Sequence, residues 1–162
     1  MPLALYALTV GAFGIGVTEF VMTGLLVPIA ADLDVSIAST GLLVSGYAMG
    51  AAVGAPALTA LSRQLPRKMV LALLMLIFTV GNAACALAPS YPLLMAARVV
   101  TSLAHRTYLG VGSVVATHMV PSQKKASAVA TMFAGLTLAN IVGVPGGTWL
   151  AGALGWRATL TQ

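Results

Sequence analysis

Five long, predominantly apolar stretches constrain this chain more than any other feature, at about residues 5–27, 40–61, 69–87, 91–120 and 126–150. Each is close to or longer than the roughly 20 residues an α-helix needs to cross a hydrocarbon layer about 30 Å thick. Ala and Leu, both strong helix formers, dominate the third stretch, and no period-two alternation of the strand type is present. Pro28 with Asp32 and Asp34, then Pro66, Pro89 and Pro92, and Pro121 punctuate the stretches, and the first is expected to stop at Pro28. The expected fold is all-α, a polytopic transmembrane helical bundle of about five spans.

Composition excludes the alternatives. Only 7% of residues are charged and mean hydropathy is +1.00, whereas a soluble domain carries roughly 25% charge. So few charges cannot cover a soluble surface, which excludes a water-soluble enzyme, a nucleic-acid-binding domain and a disordered tail. A cleaved leader starts with a positive region, but the first basic residue is Arg63, so the first span is expected to be retained. Cys85 stands alone, which excludes an internal disulfide framework. His105 and His118 are 13 positions apart with no acidic ligand nearby, so neither metal nor cofactor is expected. The glycine runs 11–16 and 110–112 do not open a βαβ unit, and no nucleophile, base and orienting acid can be assembled. An enzyme is not expected.

The basic balance, Lys+Arg 8 against Asp+Glu 3, follows from topology. Arg63, Arg67 and Lys68 fall between the second and third spans, and Lys124 and Lys125 between the fourth and fifth. The loop after the first span holds only acids, and the loop 88–92 is uncharged. Basic loops stay cytoplasmic, so the expected placement is multi-pass in a bacterial inner membrane with the amino terminus in the cytoplasm. Membrane lipid, not nucleic acid, is then the partner of these cations. Arg157 stands alone on the outer side.

Helices in lipid associate where small residues let backbones approach. The second span carries Gly46, Gly50 and Gly54 at intervals of four, and the fifth carries Gly135, Ala139, Gly143, Gly147 and Ala151 at the same interval. Both stripes predict close crossings. Pro56 and Pro145 lie within these spans and predict kinks or hinges.

Ionisable residues inside a membrane are costly and face a cavity or a partner. Glu19 lies about 12 Å below the outer end of the first span, and Arg98 about 10 Å below the same surface in the fourth. Matched depth suggests a Glu19–Arg98 pair or a shared polar cavity, serving either as a structural latch or as a transport pathway. Arg98, Ser102 and His105 share one helical face, and His105 is a second titrating candidate beside Glu19. Tyr47 and Asn140 are candidates for lining a cavity, although Asn140 equally suits a bond across helices.

Three segments together resemble the major facilitator superfamily, and more narrowly its bacterial proton-coupled drug and sugar efflux branch, with arabinose-efflux-like and chloramphenicol-efflux-like members. The first is Thr18-Glu19-Phe20-Val21 leading through Gly24-Leu25-Leu26 to Ala31-Asp32-Leu33. The second is Leu43-Val44-Ser45-Gly46-Tyr47-Ala48 with Gly54-Ala55-Pro56. The third runs from Leu138 to Gly147, with Gly143-Val144-Pro145-Gly146-Gly147 at its centre, and continues at Gly155-Trp156-Arg157. The resemblance implies a proton-coupled efflux antiporter of small molecules such as drugs or sugars. It places Arg98 as the helix-four arginine of proton coupling, Glu19 as a membrane-embedded acid handling protons or substrate, and Gly135, Gly143, Pro145, Gly146 and Gly147 in the antiporter motif of helix five.

Residues 1–162 would then form only part of an amino-terminal transmembrane half, with a sixth helix expected to begin near Trp156. Five spans would leave the carboxy terminus on the outer side. A truncated fragment without transport activity, or a small pump completed by homo-oligomerisation or by a missing carboxy-terminal half, are the competing expectations. Two departures stand out. The loop Arg63-Gln64-Leu65-Pro66-Arg67-Lys68 lacks the family's acid and glycine, and Arg106 stands where a small glycine is usual. At mid-span that arginine costs about 2.5–3.5 kcal/mol on insertion scales.

Overall fold

The computed structural model describes residues 3–160, which are helical almost throughout and contain no strand. Four long helices come first: α1 (Leu3–Asp32), α2 (Ile37–Leu61), α3 (Arg67–Leu87) and α4 (Tyr91–His118). The fifth span is α5 (Lys125–Leu138) joined to α6 (Val144–Leu154) through a π-helical turn at Ala139–Gly143. A single turn, α7 (Trp156–Thr159), follows. It begins where a sixth helix is expected, while Thr161 and Gln162 lie outside the described residues. Among the described residues, Leu3–Asp32, Ile37–Gln64, Arg67–Leu87 and Ser122–Leu154 are long and apolar enough to cross a membrane. The 28-residue α4 has the length but is less apolar, because it carries Arg98, His105 and Arg106. The chain is an all-α membrane bundle.

Helix ends differ from expectation where a proline is expected to act as a stop. The first helix continues through Pro28 to Asp32. A proline without its N–H is tolerated in a membrane helix when neighbours support the freed carbonyl, and termination comes instead at Asp34, which adopts a left-handed φ of 50°. Ser36 starts α2 earlier than the apolar pattern does, because its hydroxyl caps the helix by accepting from the Ser39 N–H at 3.0 Å. Pro56 leaves α2 unbroken. Pro145 instead follows the π turn, which absorbs the hydrogen bond that a proline cannot donate.

Both glycine stripes are helix contacts. A Cβ on Gly46 would meet Met95, one on Gly50 would meet Val99 and Ser102, and one on Gly54 would lie 2.7 Å from the Leu103 Cα, so α2 and α4 touch nearly backbone to backbone. The second stripe lies along α1, with Gly135 against Thr9 and Phe13, Gly143 against Val17 and Gly147 against Val21. Ala139 fits opposite Gly16 in the same seam. Thr9 adds a hydroxyl bond across this seam to the Thr131 carbonyl at 3.1 Å.

Two apolar cores result. One gathers Leu5, Leu8, Ile15, Leu74, Phe78 and Met132 around the amino-terminal half of α1. The other gathers Met22, Leu25, Ile29, Leu43, Leu94 and Trp156 around its carboxy-terminal half. Cys85 is buried in the second as a small apolar residue. Between the two cores lies a belt of polar side chains.

Candidate functional site at the polar belt

The belt is built by α1, α2, α3 and α4. Arg98, Thr101, Ser102 and His105 project from one face of α4 and are all buried. Tyr47 comes from α2, Asn82 from α3, and Thr18 and Glu19 from α1. Their contacts form a continuous chain. The His105 Nε2 lies 3.5 Å from the Glu19 Oε2, and the Tyr47 hydroxyl lies 3.0 Å from the His105 Nδ1. The Arg98 guanidinium stacks over the Tyr47 ring, 4.2 Å from its centre. Arg98 also donates from Nη1 to the Thr18 carbonyl at 3.3 Å, and Asn82 donates to the Thr18 hydroxyl at 3.4 Å.

Tautomer assignment follows from these partners. If the Tyr47 hydroxyl donates to Nδ1, the proton of a neutral His105 sits on Nε2 and points at the Glu19 carboxylate. Glu19 is the member that reaches the surface, its side chain 25% exposed against 2% for His105. The belt can thus hand a proton between an accessible carboxyl and a buried imidazole that a phenol holds in place.

The expected Glu19–Arg98 pair is not formed. Among the described residues the acid's ion-pair partner is His105, and Arg98 is held by Thr18 and Tyr47. The cause is the direction of side chains on antiparallel helices. Leu8 on α1 faces Tyr108, and Thr18 faces Arg98, so α1 and α4 run oppositely. Side chains lean toward the amino terminus of their own helix. Glu19 therefore leans one way and Arg98 the other, which brings Glu19 to His105, seven residues further along α4.

The remaining candidates divide. Tyr47 is central to the belt. Asn140 lies apart, exposed in the π turn with its amide donating to the Leu136 carbonyl at 3.2 Å. Gly135, Gly143 and Gly147 face α1, whereas Pro145 and Gly146 are exposed, and a Cβ on Gly146 would meet nothing within 4 Å. Ser102 is buried beneath Gly50 and bonds locally to the Val99 carbonyl at 2.6 Å. Arg106 is exposed beside the belt. His118 closes α4 and is exposed.

Sequence reasoning missed Thr18 and Asn82. Asn82 is legible in retrospect as the one amide in an otherwise apolar third span. It also missed a second polar junction, at the carboxy-terminal end of α1. There Arg157 pairs with Asp32 at 2.9 Å and donates to the carbonyls of Ala86 and Ala88 at 3.0 and 2.6 Å. The neighbouring Trp156 indole donates to the same Asp32 carboxylate at 3.2 Å, and the guanidinium covers its ring. Gly155, at a φ of +88°, makes the turn that presents both side chains. The cation thus ties the carboxy-terminal ends of α1 and α3 to α7 and is not isolated.

Comparison with known proteins identifies the scaffold. Residues 8–161 match the family model described as Major Facilitator Superfamily. The inner membrane transport protein YdhP of Escherichia coli strain K12 is 56% identical over 153 residues, covering 94% of this chain and 39% of that protein. The chloramphenicol resistance protein of Streptomyces lividans is 43% identical, over 98% of this chain and 41% of its own length. The putative transporter AraJ of Escherichia coli strain K12 is 36% identical, over 98% and 40%. This chain spans about two-fifths of the length of these relatives. With its helices, its two glycine seams and its matched residues, the chain belongs to the major facilitator superfamily.

Proposed function

We propose that the chain is the amino-terminal transmembrane portion of a proton-coupled efflux transporter of the bacterial inner membrane, with its amino terminus in the cytoplasm. Its cargo is a small molecule of the drug or sugar kind, as in relatives named for chloramphenicol resistance and, in Helicobacter pylori, for probable sugar efflux. The observation that carries the proposal is the Glu19–His105–Tyr47 chain, with a partly exposed carboxyl at one end and buried groups behind it. An ionisable cluster within membrane-spanning helices marks a substrate or proton pathway. Glu19 carries the exchangeable proton, His105 receives or returns it, and Arg98 holds the Tyr47 ring and the α1 backbone in register. The seam of Gly135, Gly143 and Gly147 against α1 packs the fifth span tightly enough to restrict leak.

Reconstitution in liposomes with an internal pH-sensitive dye tests this. Chloramphenicol or arabinose on one side should drive proton movement in the wild type, and Glu19→Gln should abolish it. Indistinguishable traces for wild type and Glu19→Gln across the substrates tried count against the proposal.

A second reading is favoured by the chain covering about two-fifths of its relatives' length. It is a bundle that folds in the membrane but transports only with a second portion or with further copies. The exposed side chains of Ile141, Val142 and Trp149 on the fifth span would serve such an association. Flux that appears only on co-expression with the remaining length of a relative supports this reading over the first.

A further inference from the structure

Arg106 is the charged side chain of the belt that the proton chain leaves unused. It lies near the middle of α4, about 22 Å from the Tyr91 end at 1.5 Å per residue. It is exposed, whereas Thr101, Ser102, His105 and Thr107 around it are buried. A guanidinium facing hydrocarbon at that depth is strongly disfavoured, so the place where it emerges marks a surface turned away from lipid. Glu19, one residue of the adjoining belt, also reaches the surface, its side chain 25% exposed.

The charges there do not cancel. Asp32 and Asp34, the other two acids of the chain, lie at the end of α1 and just beyond it, and Asp32 is committed to Arg157. Glu19 is engaged by His105. Arg98 is buried and occupied by the Thr18 carbonyl and the Tyr47 ring. Arg106 has neither a hydrogen bond nor an ion pair among the described residues. Among those residues neither arginine is paired with an acid, and the exposed one keeps its planar fork of donors free. That fork matches a carboxylate with two parallel hydrogen bonds.

We infer that Arg106 is a specificity-determining residue which favours, among the molecules transported, those bearing a carboxylate. The inference rests on the transport reading above and deepens it. A neutral isostere forfeits the charge-assisted pair with the guanidinium. Lysine in place of Arg106 keeps the charge but loses the fork.

The test uses the full chain in nanodiscs of phosphatidylcholine, with benzoate and benzamide as matched probes and binding read by calorimetry. Benzoate should bind about tenfold or more tightly than benzamide, as expected for hydrogen bonds to a charged group. Arg106→Gln should bring the two probes to parity, and Arg106→Lys should keep an intermediate preference. Unchanged helicity by circular dichroism confirms that the variants fold. Equal binding of the two probes to the wild type, or the same preference in wild type and Arg106→Gln, overturns the inference. Added phosphatidylglycerol should leave benzoate binding unchanged. Displacement of benzoate by that lipid assigns Arg106 to headgroup phosphate and also overturns it. Binding is measured here at equilibrium without a proton gradient. Anion preference without proton flux would fail the transport reading alone, and flux without anion preference would fail only this inference.

Discussion

Glu19 of α1 meets His105 of α4 with 3.5 Å between Oε2 and Nε2, while Arg98, at nearly the same depth as Glu19, turns away to the Thr18 carbonyl and the Tyr47 ring. The acid thus faces a group that can itself gain and lose a proton. A permanent cation in that position would have made a latch. The arginine is a fixed brace beside this pair.

Tyr47→Phe tests the brace. The variant removes the hydroxyl bonded to the His105 Nδ1 at 3.0 Å and keeps most of the ring under Arg98. Leaving a buried ring nitrogen without its partner should destabilise the bundle by about 1–2 kcal/mol. Tyr91→Phe, which removes a part-buried bond to the Ser39 carbonyl, should cost less. Thermal unfolding in detergent orders the two, and equal losses would contradict the ranking.

The α2–α4 crossing yields a sharper contrast. A side chain at Gly54 runs into the Leu103 backbone, whereas a Cβ on Gly41 would meet nothing within 4 Å. Gly54→Val should therefore lower stability by about 1–3 kcal/mol through overpacking. Gly41→Ala should be neutral or raise stability by up to about 1 kcal/mol through helix propensity. Chemical unfolding of both variants measures the difference, and a tolerated Gly54→Val would mean the helices do not cross there.

At the carboxy-terminal end of α1, Asp32→Asn and Arg157→Ala should differ. Asp32 and Arg157 are 46% and 37% exposed, so losing the ion pair alone should cost no more than about 1 kcal/mol and should shrink at high salt. Arg157→Ala also frees the carbonyls of Ala86 and Ala88 and should cost more, with little salt dependence in the excess. Unfolding across a salt series, combined in a double-mutant cycle, separates the two parts.

How much of this was legible in the sequence depended on whether a feature is local. The spans were legible because length and apolarity are properties of contiguous residues. The glycine seams were legible because an interval of four places Gly46, Gly50 and Gly54 on one face, and a face of glycines has one structural use in lipid. The partner of Glu19 was not, because matching Cα depths ignores the opposite lean of side chains on antiparallel helices. The Asp32–Arg157 junction joins residues 125 positions apart, and neither periodicity nor depth links them. Pro28 and Pro145 look alike in the sequence. One is carried inside α1, while the other follows a π turn, and the difference lies in what packs around them.

The most direct test of the central claim, that Glu19 with His105 handles the coupled proton, is substrate-triggered proton release. The purified protein is held in weakly buffered detergent with a pH indicator while chloramphenicol is added. The wild type should release protons on binding, Glu19→Gln should release none, and His105→Gln should release fewer while retaining substrate binding. Release of the same number of protons by the wild type and Glu19→Gln would contradict the account.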